Sequence, residues 1–175
     1  MKHVLALLLL ATAGAQAHIT LDQPEAPAGS SYRAVFKVGH GCEGGAATKA
    51  LIVTLPEALL RGAKPMPKPG WTLTTQRRSL KVPYDSHGKP VTDELSEVRW
   101  EARSDADALP DDWYDEFVLR ATLPAEPGEL WFKVRQVCTQ GEWNWAEVPS
   151  AATPKPRAPA VKLKVVPAKA EGHVH

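Results

Sequence analysis

The sequence predicts an all-β chain folded as a single-domain β-sandwich. Three observations carry this. Short runs rich in β-branched and aromatic residues alternate in polarity. Pro, Gly, Asn and Asp separate them every dozen or so residues. One short stretch alone has a helical pattern.

The elements follow in order. Residues 1–17 read as a secretory signal peptide: Lys2, then the apolar run Val4 to Ala11, then Ala15-Gln16-Ala17 at an A-x-A cleavage site. The run is too short to span a bilayer. Cleavage after Ala17 leaves 158 residues that begin with His18, enough to bury a core without help from metal or disulfide. Strands are expected at 31–39, 49–56, 70–76, 96–103, 115–124, 130–138, 142–148 and 160–166. Residues 56–62 ("PEALLRG") read as a helical turn, 152–159 ("ATPKPRAP") as an extended linker and 168–175 as a loose tail. The sandwich domain therefore runs over 18–167, and the spacing suits an Ig-like or cupredoxin-like sandwich.

Period-two alternation assigns faces. In "DEFVLRATLP", Phe117, Leu119, Ala121 and Leu123 turn to the core, and Glu116, Val118, Arg120 and Thr122 turn away. In "EWNWAEV", Trp143, Trp145 and Glu147 share one face, and two tryptophans there exceed what an exposed surface needs.

Charge and cysteine content narrow the function classes. Without Lys2 the chain holds 20 basic and 20 acidic residues, so nothing in its charge calls for nucleic acid or an anionic membrane as partner. No second apolar run approaches membrane-spanning length, and a periplasmic or secreted location follows. Cys42 and Cys138 form an even pair, which usually bridges in an oxidising compartment. The rival reading, a thiolate metal ligand, lacks support: "TQGEWNW" after Cys138 offers no His or Met for a blue-copper site. Met66 alone remains for a Met-rich copper(I) site.

A histidine at the mature N-terminus has its own chemistry. The α-amine and the imidazole Nδ1 of one residue can close a chelate ring. The amine must lose its proton, and with an ordinary pKa of about 7.7–8 that costs little at neutral pH. Two nitrogens in a plane suit copper(II), which also heads the divalent affinity order. An arbitrary residue after the cleavage site is the plainer reading of His18. His87, in "DSHGKP", reads as a hairpin-turn residue. His40, in "GHGCEGG", reads as structural, with ligation as the alternative. His173 and His175 read as tail, with a second weak metal as the alternative.

The stretches "AHITLDQPEAPAGSSYRAVFKVGHGCEGGAATKA", "PMPKPGWTL", "DDWYDEFVLRATLP" and "WAEVP" resemble the YcnI-like copper-binding domain family, in its His-Gly-Cys branch, from His18 to about Pro149. The resemblance implies an exported β-sandwich with a copper(II) site on the mature N-terminal histidine, a mono-histidine brace. It implies that His18 supplies amine and Nδ1, that Glu116 is the carboxylate ligand and that Trp145 lies against the ion, with Trp143 a rival for that place. His40 is a possible additional ligand in this branch. No segment after Pro149 reads as the membrane helix or second copper-chaperone domain that some relatives carry.

The expectation is a non-enzymatic protein that buffers copper or passes it to a periplasmic copper chaperone or transporter, since no nucleophile–base pair or carboxylate dyad stands out. The alternatives are a histidine-brace copper oxidase of the polysaccharide monooxygenase kind, which needs a second histidine from the domain, and a metal-free cell-envelope sandwich.

Overall fold

The computed structural model describes residues 18–57 and 60–168. The expected signal peptide at 1–17, nearly all of the expected tail at 168–175, and His173 and His175 lie outside the described residues.

Eleven strands appear among them: β1 (Thr20–Leu21), β2 (Glu25–Pro27), β3 (Ser31–Val38), β4 (Thr48–Thr54), β5 (Arg61–Pro65), β6 (Trp71–Ser86), β7 (Lys89–Ala102), β8 (Asp115–Thr122), β9 (Gly128–Cys138), β10 (Glu142–Trp145) and β11 (Val161–Val166). They form two layers. One sheet runs β1-β3-β8-β5, and the other runs β2-β11-β9-β4-β7-β6 with β10 added to β9. The chain is a single β-sandwich, as its sequence predicts.

The core fills the space between the layers. Phe36 on β3 meets Phe132 on β9 edge to face at 5.3 Å, and Phe117 on β8 meets Trp71 at 5.0 Å and Trp100 at 5.7 Å. Offset and T-shaped aromatic contacts add to simple area burial. Trp100 is fully buried, and its Nε1–H donates to the Met66 carbonyl at 2.9 Å, so its polar end is satisfied. The faces of β8 fall as read, with Phe117, Leu119, Ala121 and Leu123 buried. Val118 is buried too, on the other face, opposite Val35 of β3.

Besides the short strands β1 and β2, which are not among the expected strands, the structure departs from the sequence reading in two places. β6 and β7 are far longer than 70–76 and 96–103, and they form a hairpin arm that turns at His87-Gly88. His87 has φ 55° and Gly88 φ 76°, the paired positive values of a tight hairpin turn, so His87 is the turn residue it was expected to be. Most of the arm is exposed on both faces, so it carries no hydrophobic alternation to read. Its backbone ladder holds it, with side-chain ion pairs alongside, including Arg78 to Glu94 at 2.6 Å and Lys81 to Glu57 at 3.0 Å. The second departure is at 56–62. Arg61 and Gly62 already belong to β5, and the short helical turns fall at Glu43–Gly45 and Asp105–Asp107.

Cys42 and Cys138 are disulfide-bonded with a Cα–Cα distance of 6.0 Å. The bridge ties the loop after β3 to the end of β9, and so joins the two sheets at one end of the sandwich. Replacing both cysteines by alanine is expected to lower the unfolding free energy by about 3–5 kcal/mol, because the bridge closes a long loop in the unfolded chain. Guanidinium unfolding measures this, and an unchanged midpoint would show that the loop is held by its other contacts.

Candidate metal centre

Gly141, with φ 73°, lets the chain reverse after β9 so that β10 pairs back on it. Alternation along β10 places Trp143 opposite Gln136 and Trp145 opposite Val134. The two indoles stack, with centroids 5.3 Å apart and planes 26° from parallel. Trp145 is buried and Trp143 half-buried.

His18 is brought to this pair from the opposite sheet. Ile19 and Leu21 are buried, and β1 is zipped to β3 with Thr20 opposite Lys37. The Tyr32 hydroxyl donates to the Gln23 carbonyl at 2.6 Å and pins the segment that follows. The His18 imidazole meets Trp145 edge to face, at 5.3 Å between centroids and 70° between planes.

The loop "GHGCEGG" supplies the third wall. Cys42 bridges to Ala46, and the Gly41 N–H donates to Asp111 Oδ1 at 2.7 Å. A Cβ on Gly41 would lie 2.0 Å from the Ala46 carbonyl oxygen, so no larger residue fits without moving the loop. The His40 ring stands edge-on to Trp145, at 6.4 Å and 89°. Its Nδ1 lies 2.5 Å from the Gly41 carbonyl oxygen. A carbonyl only accepts, so Nδ1 carries the proton and donates it. Nε2 of the same ring is buried with no hydrogen-bond partner.

Gln136 fixes these walls relative to one another. It is fully buried on β9. Its Nε2 donates to the His40 carbonyl at 2.8 Å and to Thr48 Oγ1 at 2.7 Å, and its Oε1 accepts from Trp145 Nε1 at 3.4 Å. Between the walls lies a cleft of about 610 Å³, lined by His18, His40, Trp143, Trp145, Asp111 and Glu147 among others. Glu147 lies beyond the end of β10, where it forms an isolated bridge with Pro159, and lines the same cleft as the two tryptophans. Its Oε2 accepts from the N–H groups of Arg157 at 2.9 Å and Ala158 at 3.3 Å, which docks the 152–159 segment along the rim.

The structure thus gathers His18, Trp145, Trp143 and His40 at one cleft. Glu116 does not line it. Register places Glu116 on β8 opposite Lys37 of β3, which in turn faces Thr20 of β1. Its Oε1 accepts from the Tyr114 hydroxyl at 2.8 Å. Desolvation of that hydroxyl and the bond to Glu116 push its pKa up to about 12, so Tyr114 stays protonated and donating at neutral pH. Beside it, Lys68 Nζ meets Asp115 Oδ1 at 2.5 Å. Among the described residues, no group of three or more His, Cys, Asp and Glu side chains is placed to hold a metal. A metal here needs a donor from outside that set.

Sequence reasoning missed Gln136 and Asp111. A signal for Gln136 was present: in "LWFKVRQVC" the inward positions are Leu130, Phe132, Val134 and Cys138, and a polar residue in that series must find partners inside. Asp111 gave no local signal, because its partner is 70 residues away in the chain.

Residues 18–165 match a protein family described as "Domain of unknown function (DUF1775)". Among solved structures, the chain is similar to an uncharacterized protein from Nocardia farcinica with an immunoglobulin-like fold, at 27% identity and a TM-score of 0.65, covering 85% of this chain and 98% of that one. It is also similar to a non-cellulosomal cohesin from Archaeoglobus fulgidus, at 12% identity and a TM-score of 0.43, covering 85% of this chain and 90% of that one. No curated protein matches the chain by sequence.

Replacing Gln136 by leucine leaves the Trp145 indole N–H and the His40 carbonyl without their Gln136 partner, and leaves the Thr48 hydroxyl only its contact with the Cys138 sulfur. At roughly 1–3 kcal/mol for each buried polar group left without a partner, part of it relieved by relaxation, the loss of stability is expected to be about 2–4 kcal/mol. Denaturant unfolding measures it, and a change below about 0.5 kcal/mol, the usual size for surface substitutions, would remove Gln136 from this role.

Proposed function

The chain belongs to the DUF1775 family, the family of YcnI-like domains, and on that premise we propose that it is an exported copper(II)-binding protein whose site is built on His18 as the mature N-terminal residue. The observation that carries this reading is the position of His18: it opens the matched domain, and its imidazole is held against Trp145 in a cleft.

The residues present fit such an ion. Cleavage after Ala17 turns the His18 nitrogen from a peptide amide, which has no lone pair to offer, into an amine that has one. Amine and Nδ1 can then chelate together, with the main chain supplying one of the donors. Copper(II), when bound, would bring a positive charge that the indole of Trp145 can face and shield from water. Glu116 is the carboxylate assigned by the resemblance. It stands two strands from the His18 segment in the same sheet, and its Tyr114 hydrogen bond would orient the carboxylate. The His40-Gly41-Cys42 stretch is consistent with the His-Gly-Cys branch on this reading.

The role is copper buffering or delivery to a chaperone or transporter in an oxidising compartment, rather than catalysis. The disulfide supports the compartment. No helix among the described residues is long and apolar enough to cross a membrane.

Calorimetric titration of copper(II) into two forms of the protein tests this. One begins with His18, and the other carries a single methionine before it. The native N-terminus is expected to bind one copper(II) at least roughly 10–100-fold more tightly, the usual cost of disturbing a metal shell. Equal affinities would refute the proposal.

A further inference from the structure

His40 has a polar atom that its surroundings leave without a partner. Nδ1–H is committed to the Gly41 carbonyl at 2.5 Å, and Nε2 is buried and unbonded. With Nδ1 protonated, Nε2 of the neutral ring is a free lone pair. A purely structural histidine at this position would use both nitrogens, because buried polar atoms without partners are rare in folded proteins. One nitrogen donating to a backbone carbonyl while the other is left bare is the arrangement that prepares an imidazole to ligate a metal: the hydrogen bond fixes the tautomer and the ring orientation.

The placement agrees. His40 and His18 both stand edge-on to Trp145, and both line the same cleft. His40 is held there twice, by Gly41, whose N–H is anchored on Asp111, and by Gln136, which takes the His40 carbonyl. Gln136 also bonds Trp145, so a single buried amide sets the loop of His40 and the indole in one frame. An amine and one imidazole fill two positions of a square-planar copper(II), and more donors are required.

We propose that Nε2 of His40 is a second imidazole ligand to the copper(II) held by His18. This rests on the reading that copper(II) binds at His18; an amine with two imidazoles is also the set a copper oxidase needs, so the delivery role then stands only if the copper-loaded protein makes no hydrogen peroxide with a reductant. Gly41 and Gln136 are then positioning residues, which act through His40 and do not touch the ion.

The test uses the copper-loaded mature protein and the variant His40→Gln, compared by pulsed electron paramagnetic resonance and calorimetric titration. Pulsed resonance detects the remote nitrogen of each coordinated imidazole. Two imidazoles are expected in the wild-type protein and one in His40→Gln, with copper(II) affinity lowered at least about tenfold. One imidazole in both proteins, at unchanged affinity, overturns the proposal while leaving His18 as a copper ligand. The methionine-extended form separates the two readings: if it binds as tightly as the native form, the site at His18 itself fails. Should His40→Gln not fold, long-range proton–nitrogen NMR of the metal-free wild-type protein decides. The expected spectrum has a protonated Nδ1 and a bare Nε2 for His40, with its ring signals broadened by one equivalent of copper(II). A protonated Nε2, or ring signals untouched by copper(II), overturns it.

Discussion

An amide buried in an apolar strand has to place its hydrogen bonds on whatever surrounds it, and Gln136 places them on three separate parts of the chain. Thr48 belongs to the neighbouring strand, His40 to the loop that leaves the other sheet, and Trp145 to the hairpin strand that folds back on β9. Each of those groups is polar and at least partly withdrawn from water, so they depend on one another for their hydrogen bonds, with Thr48 also touching the Cys138 sulfur. The disulfide locks the same loop to the same strand two residues further on. A covalent tie and a polar tie therefore converge on the end of the sandwich where His18 enters. The cleft is built from rigid parts, with strand, staple and loop each over-determined.

The consequence is a division of labour between the sheets. The larger sheet contributes the indoles through β10, and the smaller one contributes His18 through β1 and the His40 loop after β3. Neither sheet holds the cleft alone. The indole of Trp145 is the surface on which the two meet, with one imidazole from each side of the loop–strand junction set edge-on to it.

Much of this was legible in the sequence because alternation and side-chain chemistry are local. The tryptophan face of β10, the inward series of β8 and the pairing of two cysteines could all be read from short windows. The long β6–β7 arm could not. Both of its faces meet solvent, so charge pairs replace the hydrophobic period that marks a half-buried strand. Gln136 was visible as an anomaly in an apolar series, but its three partners lie 9, 88 and 96 positions away, and only the fold brings them together. Glu116 shows the opposite case. Its strand and face were read correctly, yet the structure gives its carboxylate to Tyr114 and keeps it out of the cleft lining.

On the proposed reading, function turns on a single bond. While residue 17 remains attached, the nitrogen of His18 is a peptide amide; if that bond is cut, an amine would stand beside Nδ1 at the edge of the same cleft. Electron–nuclear double resonance on the copper-loaded mature protein, labelled with nitrogen-15 in histidine only, addresses this most directly. The expected spectrum contains a directly bound, saturated amine nitrogen alongside imidazole nitrogen. Copper(II) coupled to imidazole nitrogen alone, with no amine signal, would contradict a site founded on the N-terminus of the chain.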